Sequence, residues 1–188
     1  MLGEQFGHIL DRPFKALATR IPFSANSITI AGFALTIAAS LVLAHDLRMG
    51  ALCLVPAVLL DKLDGIVARN KGSVTQFGAF LDSVLDRYAD SAILLAIAWN
   101  IGNRGIVTGV ILVFASLVGS LLVSYTRARA EGLGITCSCG LMERPERLVL
   151  LFVGSVSGYI VPTLWLLAGL THLTAVQRII YARKQFLK

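Results

Sequence analysis

The chain has 188 residues, of which 56% are hydrophobic and only 15% charged, and it carries a formal net charge of +6. Soluble domains of this size carry nearer a quarter charged residues, so the composition excludes a water-soluble globular protein and indicates a single integral membrane domain. Little water-facing surface is left for a duplex. The positive charge is therefore assigned to anionic headgroups and a phosphorylated substrate, with no nucleic acid as partner.

Ahead of the first apolar run, Phe6, Ile9, Leu10, Phe14 and Leu17 recur at helical spacing while Asp11, Arg12 and Lys15 fall elsewhere. This predicts an amphipathic interfacial helix within residues 1–26, broken or kinked at Pro13. Acids and bases are mixed there without a continuous apolar core, so no cleavable signal peptide is expected. Hydropathy then predicts six spans near Ser27–Ala44, Gly50–Arg69, Thr75–Trp99, Gly105–Ala130, Pro145–Ile160 and Pro162–Tyr181. The expected fold is all-α: a bundle of six transmembrane helices over residues 27–188. Pro145 suits the first turn of its helix, followed by Glu146. Cys137 and Cys139 are too close for an ordinary zinc site and read as small loop residues.

Lys and Arg set the orientation. Arg12, Lys15, Arg20, Arg69, Lys71, Arg127, Arg129, Arg144, Arg147, Arg178, Arg183, Lys184 and Lys188 share one face, against Arg48 and Arg104 on the other. The basic face is predicted to be cytoplasmic, which puts both termini in the cytoplasm of a multi-pass protein of the cell membrane.

The second and third spans carry Asp61-x2-Asp64-Gly65-x2-Ala68-Arg69-x8-Gly78-x3-Asp82-x3-Asp86. Each ionised Asp at a membrane helix centre costs roughly 2.5–3.5 kcal/mol, so four unpaired ones would cost on the order of 10 kcal/mol. Residues three or four apart share a helix face, which pairs Asp61 with Asp64 and Asp82 with Asp86. Two such faces turned together form a hard oxygen cage suited to divalent cations. Asp61 and Asp64 stand about 8–12 Å below the basic loop, counted at 1.5 Å per residue. Asp90 continues the Asp86 face and reads as a salt-bridged or water-facing carboxylate. His8, His45 and His172 lie away from the motif, and no Cys or Ser stands beside a base, which disfavours covalent catalysis. Two classes stay open on these residues: metal-assisted displacement, and a cation carrier whose carboxylates bind its cargo.

The motif resembles the signature of the CDP-alcohol phosphotransferase (phosphatidyltransferase) family. Ser24-Ala25-Asn26-Ser27-Ile28-Thr29 is similar to that family's Pro-Asn-x-x-Thr entry, with Ala25 where proline is usual. The resemblance implies that Asp61, Asp64, Asp82 and Asp86 hold two Mg²⁺ or Mn²⁺ ions, with Asp86 also the general base. It implies CDP-binding roles for Asn26, Thr29, Gly65, Ala68, Arg69 and Gly78. The donor would be CDP-diacylglycerol or CDP-archaeol, and the protein a homodimer.

Tyr125-x-Arg127-Ala-Arg129-Ala-Glu131 and Glu143-Arg144-Pro145-Glu146-Arg147 are similar to segments of the family's inositol-phosphate-using branch. The resemblance carries Arg127, Arg144 and Arg147 over as acceptor-phosphate contacts, their planar forks matching phosphate. Glycerol 3-phosphate, the acceptor of a phosphatidylglycerol-phosphate synthase, is the competing anionic alcohol.

Overall fold

The computed structural model describes residues 23–70, 74–137 and 139–187. Among these residues there are six helices and no strand: α1 (Ala25–His45), α2 (Leu47–Asn70), α3 (Gln76–Asn103), α4 (Val107–Glu131), α5 (Arg144–Ser157) and α6 (Ile160–Phe186). The all-α expectation holds, and each helix overlaps one predicted span. Residues 1–22 of the expected amphipathic segment lie outside the described residues. Two compact units divide the chain, the first ending at Ala96 and the second beginning at Ile97.

In the first unit, Ser24 caps α1 by accepting a hydrogen bond from the Ser27 N–H at 3.2 Å. Asn26 is thereby left inside the first turn rather than serving as the cap. The gap between the first two predicted spans contracts to Asp46 alone. Its carboxylate accepts from the Arg48 and Met49 N–H groups at 2.8 and 3.0 Å, which satisfies the start of α2 immediately. α2 consequently folds back on α1. Close to the turn, a Cβ on Gly50 would stand 2.2 Å from the Leu43 Cα, so the absence of a side chain is what lets the backbones meet. Farther along, Ile28, Leu63, Ile66 and Val67 form a buried cluster with Leu60 against it. Pro56 sits inside α2, where it removes one backbone donor.

In the second unit, α6 packs against both α4 and α5. Small residues again set the spacing, with Gly119 facing Thr171 and Gly154 facing Thr163. The hydroxyls at these contacts donate back to their own helices, Thr163 to the Tyr159 carbonyl and Thr171 to that of Leu167, both at 2.8 Å. Their polarity is thus satisfied without water. α5 ends at Gly158, whose φ of 82° is a left-handed conformation that favours glycine.

Three helices, α1, α4 and α6, are long and apolar enough to cross a membrane. The other three fall short for different reasons. α2 and α3 carry the aspartates, and α5 has 14 residues, or about 21 Å against a hydrocarbon core of about 30 Å. Leu41, Ile111, Phe114, Trp165 and Ile180 turn outward, as lipid-facing side chains do and as those of a soluble protein rarely would together.

Gly50→Ala should destabilise the protein by about 1–3 kcal/mol, because the added methyl meets backbone that cannot rotate away. Gly169→Ala has open space within 4 Å and should be neutral or slightly stabilising. Thermal unfolding of both variants in detergent checks the contrast.

Candidate active site

The first unit brings the acidic motif together. α2 supplies Asp61 and Asp64, and α3 supplies Asp82 and Asp86. One carboxylate oxygen from each of Asp61, Asp82 and Asp86 lies within 4.8 Å of the others, all three side chains being half-buried. Three carboxylates so close repel one another, and a divalent cation removes that cost by accepting them as ligands. The donor set therefore fits a hard metal ion.

Asp64 is held differently. It is buried, at 7% exposure, and its Oδ2 lies 2.6 Å from the Thr29 hydroxyl of α1. That hydroxyl is also 3.0 Å from the Ala25 carbonyl. It has one proton, and the shorter, charge-assisted contact with the carboxylate takes it. The packing of α1 on α2 thus aims one aspartate of the motif, while the other three converge.

Beside the carboxylates is a cavity of about 300 Å³ whose walls include Asn26, Thr29, Asp64, Gly65, Arg69 and Asp82. Ala68 and Gly78 also line it, so all six residues expected to bind CDP meet there. Gly78 matters sterically, since a Cβ there would stand 3.0 Å from both Asn26 Oδ1 and Thr75 Oγ1. At Gly65 the nearest atoms to such a Cβ belong to the Arg69 guanidinium, at 3.6 Å, so Arg69 lies back over the glycine. Thr75 was absent from the sequence-derived set. Its hydroxyl accepts the Gly78 N–H at 3.0 Å and caps α3. The first turns of α1 and α3 therefore both border the cavity, and the positive ends of the two helix dipoles favour an anionic occupant. The signal for Thr75 lay in its position one residue before a helix, read only as a span boundary.

The expected acceptor residues lie in the second unit and are not equivalent. Arg127 is roughly half exposed; it pairs with Glu131 at 2.9 Å and approaches Glu143 at 3.7 Å. Arg144, at the start of α5, is half-buried. Arg147 turns inward instead: it is 5% exposed and donates to the Met142 carbonyl at 3.3 Å. One nitrogen of its guanidinium thus faces the loop before α5. The dominant cation of this unit is Arg178, which the sequence marked only as a cytoplasmic charge. It is 2% exposed and donates to the carbonyls of Cys139 at 2.8 Å and Val123 at 2.6 Å. Its remaining nitrogen meets Glu143 at 3.3 Å. The Cys137 and Cys139 sulfurs are 3.8 Å apart. Burial, then the hydrogen bond with Cys137, pushes the Cys139 thiol up.

Comparison with known proteins agrees with this geometry. Residues 23–181 match the family model of CDP-alcohol phosphatidyltransferases. The chain is 40% identical over 184 residues to an archaetidylinositol phosphate synthase of Methanothermobacter thermautotrophicus, covering 94% of this chain and 92% of that one. A Mycobacterium tuberculosis phosphatidylinositol phosphate synthase crystallised with CDP-DAG superposes with a TM-score of 0.84 at 32% identity, over 92% of this chain and 93% of the other. The same enzyme in complex with manganese and citrate gives a TM-score of 0.81 at 32% identity, covering 92% of this chain and 88% of that one.

Thr29→Val should cut divalent-metal affinity or turnover by about 10–100-fold, as loss of a ligand-orienting hydrogen bond does. Mn²⁺ binding followed by paramagnetic resonance, with Thr29→Ser as the retained-hydroxyl control, checks this.

Proposed function

The chain belongs to the CDP-alcohol phosphatidyltransferase family, and from that premise we propose that it transfers a phosphatidyl or archaetidyl group from a CDP-lipid to the hydroxyl of inositol phosphate, releasing CMP. Membership of an enzyme family sets the cation-carrier reading aside. The observation that carries the proposal is the convergence of Asp61, Asp82 and Asp86 beside a cavity with anion-favouring walls. Inositol phosphate as acceptor is supported by the names of the relatives in both the ether-lipid and the ester-lipid branches. The donor is accordingly CDP-archaeol or CDP-diacylglycerol.

Asp61, Asp64, Asp82 and Asp86 would hold two Mg²⁺ or Mn²⁺ ions, whose chemistry is neutralisation of the diphosphate's developing charge. The rest falls to the chain. Asn26, Thr29, Gly65, Ala68 and Gly78 receive the cytidine diphosphate, the two glycines leaving room for it. Arg69 faces phosphate oxygens. Asp86 takes the proton of the acceptor hydroxyl as its oxygen attacks the lipid-side phosphorus, and the bond to the CMP oxygen breaks. No enzyme-bound ester forms. Arg127, Arg144 and Arg147 meet the acceptor phosphate.

The same reading treats residues 27–188 as one domain of six spans, with α2 and α3 crossing despite their carboxylates because those groups are neutralised in place. Residues 1–26 form the interfacial segment, the site and both termini face the cytoplasm, and two chains form a homodimer.

Asp86→Asn should lower turnover by about 10²–10⁴-fold, the range for losing a general base, while sparing most CDP-lipid affinity. Wild-type turnover in that variant would remove Asp86 from the base role. Separately, an acceptor panel with CDP-lipid and Mg²⁺ should yield labelled phospholipid from inositol phosphate and far less from glycerol 3-phosphate, serine or free inositol. Preference for glycerol 3-phosphate would make the protein a phosphatidylglycerol-phosphate synthase instead.

A further inference from the structure

Within the second unit, the C-terminal ends of α4 and α6 enclose a groove of about 400 Å³ that the proposed reaction does not use. α4 contributes Tyr125 and Arg129, the turn just after it contributes Leu133, and α6 contributes Ile179, Arg183 and Phe186. Tyr125 and Arg129 stand four apart on α4, and Ile179, Arg183 and Phe186 stand four and three apart on α6, so each helix presents them on one face. Tyr125, Ile179 and Phe186 are all more than half exposed, and Leu133 nearly so. Arg129 and Arg183 lie in the last turns of their helices and are exposed.

The charge is one-sided. No acidic residue lines the groove. Among the described residues neither Arg129 nor Arg183 is tied to a carboxylate, whereas Arg127, two positions away, is paired with Glu131 and approaches Glu143. Arg178 also borders the groove, but its donors are committed to Val123, Cys139 and Glu143. Two uncompensated guanidinium groups above an apolar, aromatic-edged trough match a ligand that is anionic at one end and greasy along its length. A soluble phosphate would use the arginines and leave the trough empty; a zwitterionic lipid would fill the trough and gain less from the charge.

We propose that this groove is a binding site for an anionic phospholipid distinct from the CDP-linked donor, its phosphate held by Arg129 and Arg183 and its acyl chain lying along Tyr125, Ile179 and Phe186. The inference rests on the membrane location of the protein and not on the identity of the acceptor alcohol.

Native mass spectrometry of the full-length protein in mild detergent tests it, with phosphatidylglycerol, phosphatidylcholine and glycerol 3-phosphate as probes. Phosphatidylglycerol should stay bound at concentrations that leave phosphatidylcholine unbound, and excess glycerol 3-phosphate should not displace it. An Arg129→Gln/Arg183→Gln double variant should bind it at least tenfold more weakly. The Arg129→Lys/Arg183→Lys variant should keep most of the affinity, and both should transfer head groups at the wild-type rate with saturating substrates. Equal retention of the two lipids, displacement by glycerol 3-phosphate, or unchanged binding in the glutamine variant at matched melting temperature would each overturn the site. So would finding that lipid binds only after removal of residues 1–22, which would make that segment the occupant.

Discussion

Carboxylates inside apolar helices are tolerable only if the fold brings them to something that neutralises them, and the first unit is organised around that requirement. Asp61, Asp82 and Asp86 converge, while Asp64 is steered by a hydroxyl from another helix. That hydroxyl reaches Asp64 because α1 lies tightly along α2, which in turn depends on the one-residue turn at Asp46 and the bare backbone at Gly50. A packing detail near one end of the helix pair thus supports the chemistry at the other. Glycine contacts and Thr hydroxyls returned to their own helices are the usual means of holding apolar helices together without a hydrophobic driving force between them.

The second unit turns on a different group. Arg178 is buried with three protein oxygens around it, and it joins α6 to α4, to the loop before α5 and to Glu143. Its planar fork suits three separate partners in a way a lysine would not. Glu143 touches both Arg178 and Arg127, so the charge that Arg127 offers an anion is set partly by an arginine far along the chain. The loop permits this because Gly140 has a φ of 131°, where a Cβ would stand 2.6 Å from Thr174 and 3.3 Å from Arg178.

Much of this was legible in the sequence because its signals are local. Period and hydropathy located the six described helices, and three of the four aspartates of the motif, Asp61, Asp82 and Asp86, come together, whereas their spacing gave no sign that Asp64 turns to Thr29 of α1. The cavity gathered every residue expected from the motif for CDP. What escaped depended on contacts between distant segments. Nothing near position 178 distinguishes a buried three-way tie from a cytoplasmic anchoring charge. Arg147 is buried against the Met142 carbonyl while Arg144 is only half-buried, a difference that nothing in their shared segment announces. Thr75 needed knowledge of where α3 begins, and the gap between the first two predicted spans shrank because Asp46 can cap a helix directly after ending another.

The cavity beside the carboxylates is lined wholly by one continuous stretch, residues 25–82, whereas the arginines proposed to meet the acceptor lie beyond residue 126. On the proposed reading, handling of the nucleotide and choice of alcohol are written in separate parts of the polypeptide. A change of acceptor would then need substitutions only beyond residue 126 and leave the nucleotide cavity as it is.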